Sequence, residues 1–364
     1  MDILDLLDSD EAALPKMRDP AKDFLAYLRD DVFQPFLDAL ASLDTADAIT
    51  NSVIHHRDLC PTVCETLVAS IDTYLKGFPH LAYAKVEEAI SLLGPHFTAL
   101  GAVGDMQNNL KYAYRIQESD ADSLDRGRLF HIPFQMRDKV KTQRYSIPGL
   151  PSLYLGGSFF VCWAEYGRPE LKDIHLSRLE AVGKLRLINF GYHPRRMAGL
   201  AATILGTGND AAAPFVVAQT IAWPLLAACS IQVPDRTVAF KAEYIVPQIV
   251  LQWVRVQEEF DGIRYFSTHV DEILKDPVGQ VNYVFPVQEP KETGYCDVLR
   301  SKFRLSEPYA CRSFGDGGLM DFADCPNINF EIKRNGPHEA AQHYTMTDLG
   351  QIQQHVATLG THHV

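Results

Sequence analysis

Residues 144–166 read RYSIPGLPSLYLGGSFFVCWAEY, and the reading of this stretch decides the fold. Arg144 and Tyr145 stand before an IPG turn, where side chains can project past the end of a sheet. PSLYL reads as a short strand that closes on Tyr154, and Gly156-Gly157 breaks it. SFFVCWAEYG then reads as a helix with Ser158 at its start and Gly167 at its end. One carboxylate, Glu165, sits in an otherwise apolar helix of a chain that is 22% charged. Strand, turn and short helix in close succession point to an α+β arrangement rather than a regular βαβ array.

The neighbouring sequence carries more of the same texture. KYAYRIQ alternates like a strand and places Arg115 on it, and an acidic polar loop, ESDADSLDRG, follows. RLFHIPF, KLRLINF, GIRYFST and NYVFPV read as further strands, with Ser267 ending the one that opens at the Asp261-Gly262 turn. FVVAQTIAWPLLAACSI (215–231) reads as a buried helix: its seventeen residues are short for a membrane span, and it carries Gln219, Thr220 and Pro224. EYIVPQIVLQWVRVQEEF reads as another helix. The expected domain is α+β with a mixed or antiparallel sheet.

Residues 1–108 look helical throughout. DPAKDFLAYLRDDVFQPFLDALASL spaces its apolar residues by three and four, with Asp19 as the expected cap and Pro20 at the first helical position. CETLVASIDTYLKGF stops at Gly77 and AYAKVEEAISLLG at Gly94-Pro95, which suggests a small bundle. The texture changes after Gly104. The expected organisation is a helical region at 1–108, a catalytic domain at 109–312 with an insertion around 168–240, and a C-terminal extension at 313–364 that is helical only near MTDLGQIQQHVATLG.

Composition narrows the function classes. The 364-residue chain is 46% apolar with a formal net charge of −12, and its Lys and Arg are scattered, so nucleic acid is not an expected partner. A few converging arginines can still bind a phosphate. Seven cysteines with irregular spacing, behind an acidic N-terminus without a basic leader, predict a cytoplasmic protein with reduced thiols and no membrane attachment. His55, His56, Cys60 and Cys64 are metal-ligand types, but Cys-x3-Cys without a second pair is more simply the spacing of a buried helix face, and no metal is expected. ILGTGND (204–210) resembles a phosphate loop only in its glycines; it lacks the Lys-Ser/Thr ending and the GxGxxG spacing. His131 reads as a strand residue and Cys162 as core.

Arginine, aromatic, one carboxylate and one hydroxyl suit one particular chemistry. Nicotinamide is joined to ribose in NAD through a cationic pyridinium nitrogen, so it departs neutral and needs no general acid, unlike the leaving group in ordinary glycoside cleavage. The site must hold a diphosphate, orient a ring and steady an oxocarbenium-like sugar, which a single glutamate near the ribose hydroxyls can do.

The stretch also resembles the RES-domain family, named for Arg, Glu and Ser residues, whose members include toxins of bacterial toxin–antitoxin systems. The matching residues are Arg144 in QRYSIPG, Tyr154 in LYLGGS, Glu165 in CWAEY and Ser267 in DGIRYFS, with Arg115 in YAYRIQ as a fifth. The resemblance spans about 110–310 and implies an ADP-ribosyltransferase-like fold. It implies an NAD glycohydrolase or phosphorylase that takes NAD as a substrate, not a cofactor. Glu165, Arg144 and Ser267 would be catalytic, and Arg115, Tyr145 and Tyr154 would bind NAD. Phosphate is a candidate acceptor. An antitoxin or other inhibitory protein, a homo-oligomer and a role in antiphage defence follow as further expectations. Two alternatives stand beside this: an ADP-ribosyltransferase acting on a protein, and a non-catalytic nucleotide sensor. The hundred residues between Glu165 and Ser267 and the helical N-terminal region depart from the family's compact toxins.

Overall fold

A computed structural model describes residues 1–102, 112–268, 280–314, 331–332 and 342–364. The expected boundaries near 104 and 108 fall outside these residues. Within them the fold is α+β, and the chain divides into two compact units that interleave in sequence. Segments 1–108, 141–147 and 186–260 form one unit, and 109–140, 148–185 and 261–364 form the other.

The first unit is mostly helical. Helices Leu59–Leu75 and Pro79–Leu93 pair as a hairpin, the first stopping before Gly77 (φ +89°) and the second before Gly94 (φ +45°), where a side chain would be strained. The expected start at Asp19-Pro20 is corrected. The helix begins at Phe24, because Asp23 accepts from the Leu25 and Ala26 amides at 3.0 and 3.1 Å, while Asp19 is used in a local turn with Ala21. It continues through a π-helical stretch, Tyr27–Phe33, into Gln34–Ala41. The apolar run at 215–231 is two buried helices, Ala213–Ile221 and Trp223–Ser230, because Pro224 can start a helix but not continue one. They are bent by 59°, and among the described residues no single helix is long and apolar enough to cross a membrane. Trp223 stacks on Phe36 with centroids 3.8 Å apart and donates Nε1–H to the Ala12 carbonyl. The strand expected in KLRLINF is Leu187–Phe190, also in this unit.

The second unit is built on an antiparallel sheet. Its strands are β1 (Tyr112–Glu118), β2 (Ser152–Gly156), β3 (Ile174–Ala181), β4 (Gly262–Phe266), β5 (Val281–Pro286), β6 (Phe303–Ser306), β7 (Tyr309–Ala310) and β8 (Thr361–His362). They run in the order β8-β6-β3-β1-β2-β5-β4, with β7 pairing to β3. The strand expected in RLFHIPF is a correction: Arg126–Leu129 is a turn of 3₁₀ helix, 130–133 are irregular and Phe134 opens a second 3₁₀ stretch, Phe134–Lys139. The buried His131 ring takes the place of a ladder there, bonding the Ile132 carbonyl at 2.7 Å and accepting the Cys296 amide at 2.9 Å. The unit also holds the glutamate helix, Phe159–Glu165, and the C-terminal helix, Asp348–Thr358. Phe159, Phe160, Val161 and Cys162 of the first share a core with Tyr344, Leu349, Ile352 and Val356 of the C-terminal segment and with Tyr114, Ile116, Ile174 and Leu176 of the sheet.

Candidate active site

The site begins at the end of β2. A Cβ on Gly156 would lie 2.6 Å from the Cys162 sulfur and 3.1 Å from the Ser158 carbonyl oxygen, so only glycine lets the following helix turn back against the strand. Ser158 caps that helix, its Oγ accepting from the Val161 amide at 3.2 Å. Gly167, with φ +91°, ends it. The Gly167 amide donates to the Ala164 carbonyl and the Arg168 amide to Trp163, the bond pair of a Schellman motif. Both ends are fixed, and Glu165 is the last helical residue.

Ser267 and Asn282 both donate to its carboxylate. Ser267 Oγ donates to Oε1 at 2.6 Å and Asn282 Nδ2 donates to the same oxygen at 2.7 Å. Ser267 directly follows β4, and its amide is held by the Gln280 carbonyl at 3.0 Å. Asn282 lies on β5, opposite Gly156 of β2 on one side and Tyr265 of β4 on the other. Residues opposite one another in an antiparallel pair face the same way, so the bare Gly156 leaves room beside Asn282 for the end of the glutamate helix. Glu165 and Ser267, separated by 102 positions in the chain, are thus brought together. Asn282 was not among the sequence candidates. Its one signal was a carboxamide near the start of the otherwise apolar strand NYVFPV.

Arg115 and Tyr154 are also joined. Arg115 Nη1 donates to the Tyr154 carbonyl at 2.8 Å, through the Tyr154 backbone rather than its ring. Arg115 Nε is buried without a partner among the described residues, and no carboxylate there pairs with this guanidinium. Burial pulls its pKa down from the usual arginine range, with Tyr166, Cys162 and Tyr154 opposing the shift, and an arginine so placed still keeps its charge. Burial pushes the Tyr154 phenol up, which keeps it protonated. The Cys162 thiol, pushed up to about 12 chiefly by burial, donates to the Tyr114 carbonyl at 3.2 Å, so it is core and not a nucleophile.

Arg144 and Tyr145 belong to the helical unit. Arg144 is buried, donates Nη1–H to the Cys229 carbonyl at 3.1 Å and lies over the Tyr244 ring at 5.1 Å. Cys229 is in the last turn of Trp223–Ser230, where a cation meets carbonyls without helical partners. Tyr145 is buried and bonds the Cys229 thiol, which burial pushes up to about 12.

The remaining candidates have structural explanations. His55, His56 and His96 form a run of edge-to-face rings, and Cys60 donates to the Ile221 carbonyl. Among the described residues no cluster of three His, Cys, Asp or Glu side chains is placed to hold a metal. In ILGTGND, Gly206 lies within helix Pro194–Thr207 and Gly208, left-handed at φ +66°, ends it. His131 has its pKa lowered to about 4, first by burial, and is a neutral core residue.

No known family description and no solved structure matches the chain. Among curated proteins it is similar to one named "Putative toxin YopC" from Bacillus subtilis (strain 168), at 28% identity over 313 residues, which are 84% of this chain and 70% of that protein. The chain therefore shares most of its length with a protein that bears a toxin's name.

Proposed function

We propose that this chain is a toxin-like, NAD-consuming enzyme that cleaves the bond between nicotinamide and ribose. The observation that carries this is the convergence of Ser267 and Asn282 on one oxygen of Glu165, at the end of a helix capped at both termini. A carboxylate fixed in this way can accept a hydrogen bond from a ribose hydroxyl. That bond strengthens as positive charge grows on the sugar, so it favours the transition state over the bound substrate. Nicotinamide leaves as a neutral ring, which is why a single acid side chain suffices. Ser267, which donates to Glu165, would orient the ribose or the attacking oxygen. Arg115 brings a cation without a carboxylate partner among the described residues, as a diphosphate requires. The RES resemblance supports the same assignment through Arg144, Tyr154, Glu165 and Ser267, and with it an ADP-ribosyltransferase-like fold. The toxin's name borne by the similar Bacillus protein agrees with a chain that drains NAD, and a chain with that activity would need an inhibitory partner in its own cell.

Purified protein mixed with NAD, with and without inorganic phosphate, tests the acceptor. Hydrolysis gives nicotinamide and ADP-ribose, phosphorolysis gives nicotinamide and ADP-ribose 1-phosphate, and mass spectrometry separates the two. Intact NAD recovered under both conditions would defeat the proposal.

A further inference from the structure

The glutamate helix is seven residues long, too short to hold itself, and its leading amides need partners from elsewhere. Ser158 supplies one, to Val161. The other two come from a segment that is almost two hundred positions away in the chain. Gln353 Oε1 accepts the Phe159 amide at 2.6 Å, and Tyr344 Oη accepts the Phe160 amide at 3.3 Å. Tyr344 then donates its own hydroxyl proton to Gln353 Oε1 at 2.8 Å, so the two acceptors fix each other. Both side chains are buried.

The clamp is itself anchored. Gly350 packs so closely on Tyr344 that a Cβ would fall 2.0 Å from the Tyr344 carbonyl oxygen. Arg178 of β3 donates to the Ala357 and Leu359 carbonyls, both at 2.7 Å, and so holds the far end of the C-terminal helix. Thr361 of β8 donates to Glu180 Oε2 at 2.7 Å. The C-terminal segment is thus tied to the sheet at one end and grips the start of the glutamate helix at the other.

We propose that Gln353 and Tyr344 are positioning residues for Glu165, holding its helix at the height where Ser267 and Asn282 meet the carboxylate. This rests on the assignment of Glu165 as the catalytic carboxylate. The clamp touches no substrate and acts only through the helix. About one and a half turns separate the gripped amides from the carboxylate, so a small tilt at the start moves Oε1 away from its donors, and geometry of this kind costs rate rapidly.

The test compares Gln353→Leu, which removes the acceptor, with Gln353→Glu, which keeps it. Tyr344→Phe, which removes the hydroxyl, completes the set. Nicotinamide release from NAD is followed together with amide hydrogen exchange at residues 159–165. Gln353→Leu should lower kcat at least tenfold with KM changed less than threefold, and should speed exchange at Phe159 and Phe160. Gln353→Glu should recover kcat to within about threefold of wild type. Wild-type kcat and exchange in Gln353→Leu, or equal losses in the Leu and Glu variants, would overturn the clamp. If wild-type protein releases no nicotinamide, the assignment of function fails, and exchange at 159–165 alone then decides whether the clamp exists.

Discussion

Asn282 carries the sharpest consequence at the level of single residues. Its amide gives Glu165 Oε1 a second donor, and replacing it by leucine removes that donor without adding charge. Nicotinamide release should fall about tenfold in Asn282→Leu, in keeping with one lost hydrogen bond to a charged group. Asn282→Asp should behave differently. Two carboxylates in hydrogen-bond contact do not both ionise readily, so the acid limb of the pH–rate profile should move to higher pH. A profile that overlays the wild type would show that Asn282 and Glu165 do not share a proton equilibrium. Arg144 is a case in which two roles separate by experiment. In its own unit it serves the Cys229 carbonyl and the Tyr244 ring, while the family resemblance gives it the diphosphate. Arg144→Lys keeps a cation and loses the planar fork. A raised KM for NAD with an unchanged melting temperature supports the diphosphate role, and a lowered melting temperature with unchanged KM supports the helix-end role.

At the level of elements, Gly156 is where the strand-to-helix turn is most constrained. Gly156→Ala should destabilise the protein by ~1–3 kcal/mol through overpacking, read as a lower urea midpoint. Adding Cys162→Ala removes the sulfur contact but leaves the Ser158 carbonyl and Cys162 amide in the way, so the double variant should recover only part of the loss. Full recovery would mean that the sulfur alone requires glycine here. This turn was legible in the sequence because its signals are local: Ser158 before an apolar run and Gly167 after it mark a two-turn helix without any tertiary knowledge. RLFHIPF misled because what holds it is not local. The His131 ring bonds the Cys296 amide, and nothing near residue 131 announces that partner. Asn282 was missed for a related reason, since a carboxamide on a strand gains meaning only when its neighbour is known. The 215–231 run hid its break because Pro224 suits the first turn of a second helix as well as a bend in one.

At the scale of the whole molecule, sequence order and compactness diverge. The last strand and the C-terminal helix belong with the sheet, and the helices of 186–260 cluster with 1–108. Texture along the chain could not show this, because strands and helices of both units alternate in sequence. Global stability should also carry an acid signature. His131 binds a proton only near pH 4 in the folded chain, against an ordinary value of 6.5, because burial disfavours the charged ring. The unfolded chain therefore takes up this proton first as pH falls. Stability from this group is complete above about pH 7, declines below 6.5 and is fully lost near pH 4, a change of ~3 kcal/mol. Burial shifts His193, His175 and His96 in the same direction. Urea unfolding at pH 7 and pH 4.5 should show a smaller pH-dependent loss in His131→Leu than in wild type, although the variant starts less stable. Equal losses would place the acid sensitivity elsewhere.

The central claim is that the carboxylate gripped by Ser267 and Asn282 steadies a sugar cation as nicotinamide departs. Single-turnover nicotinamide release by the 364-residue chain, with wild type and Glu165→Ala at equal NAD occupancy, tests it most directly. The account predicts release by wild type and a rate at least a hundredfold lower in the variant, with NAD still bound. Release at the same rate from both proteins, or from neither, would contradict it.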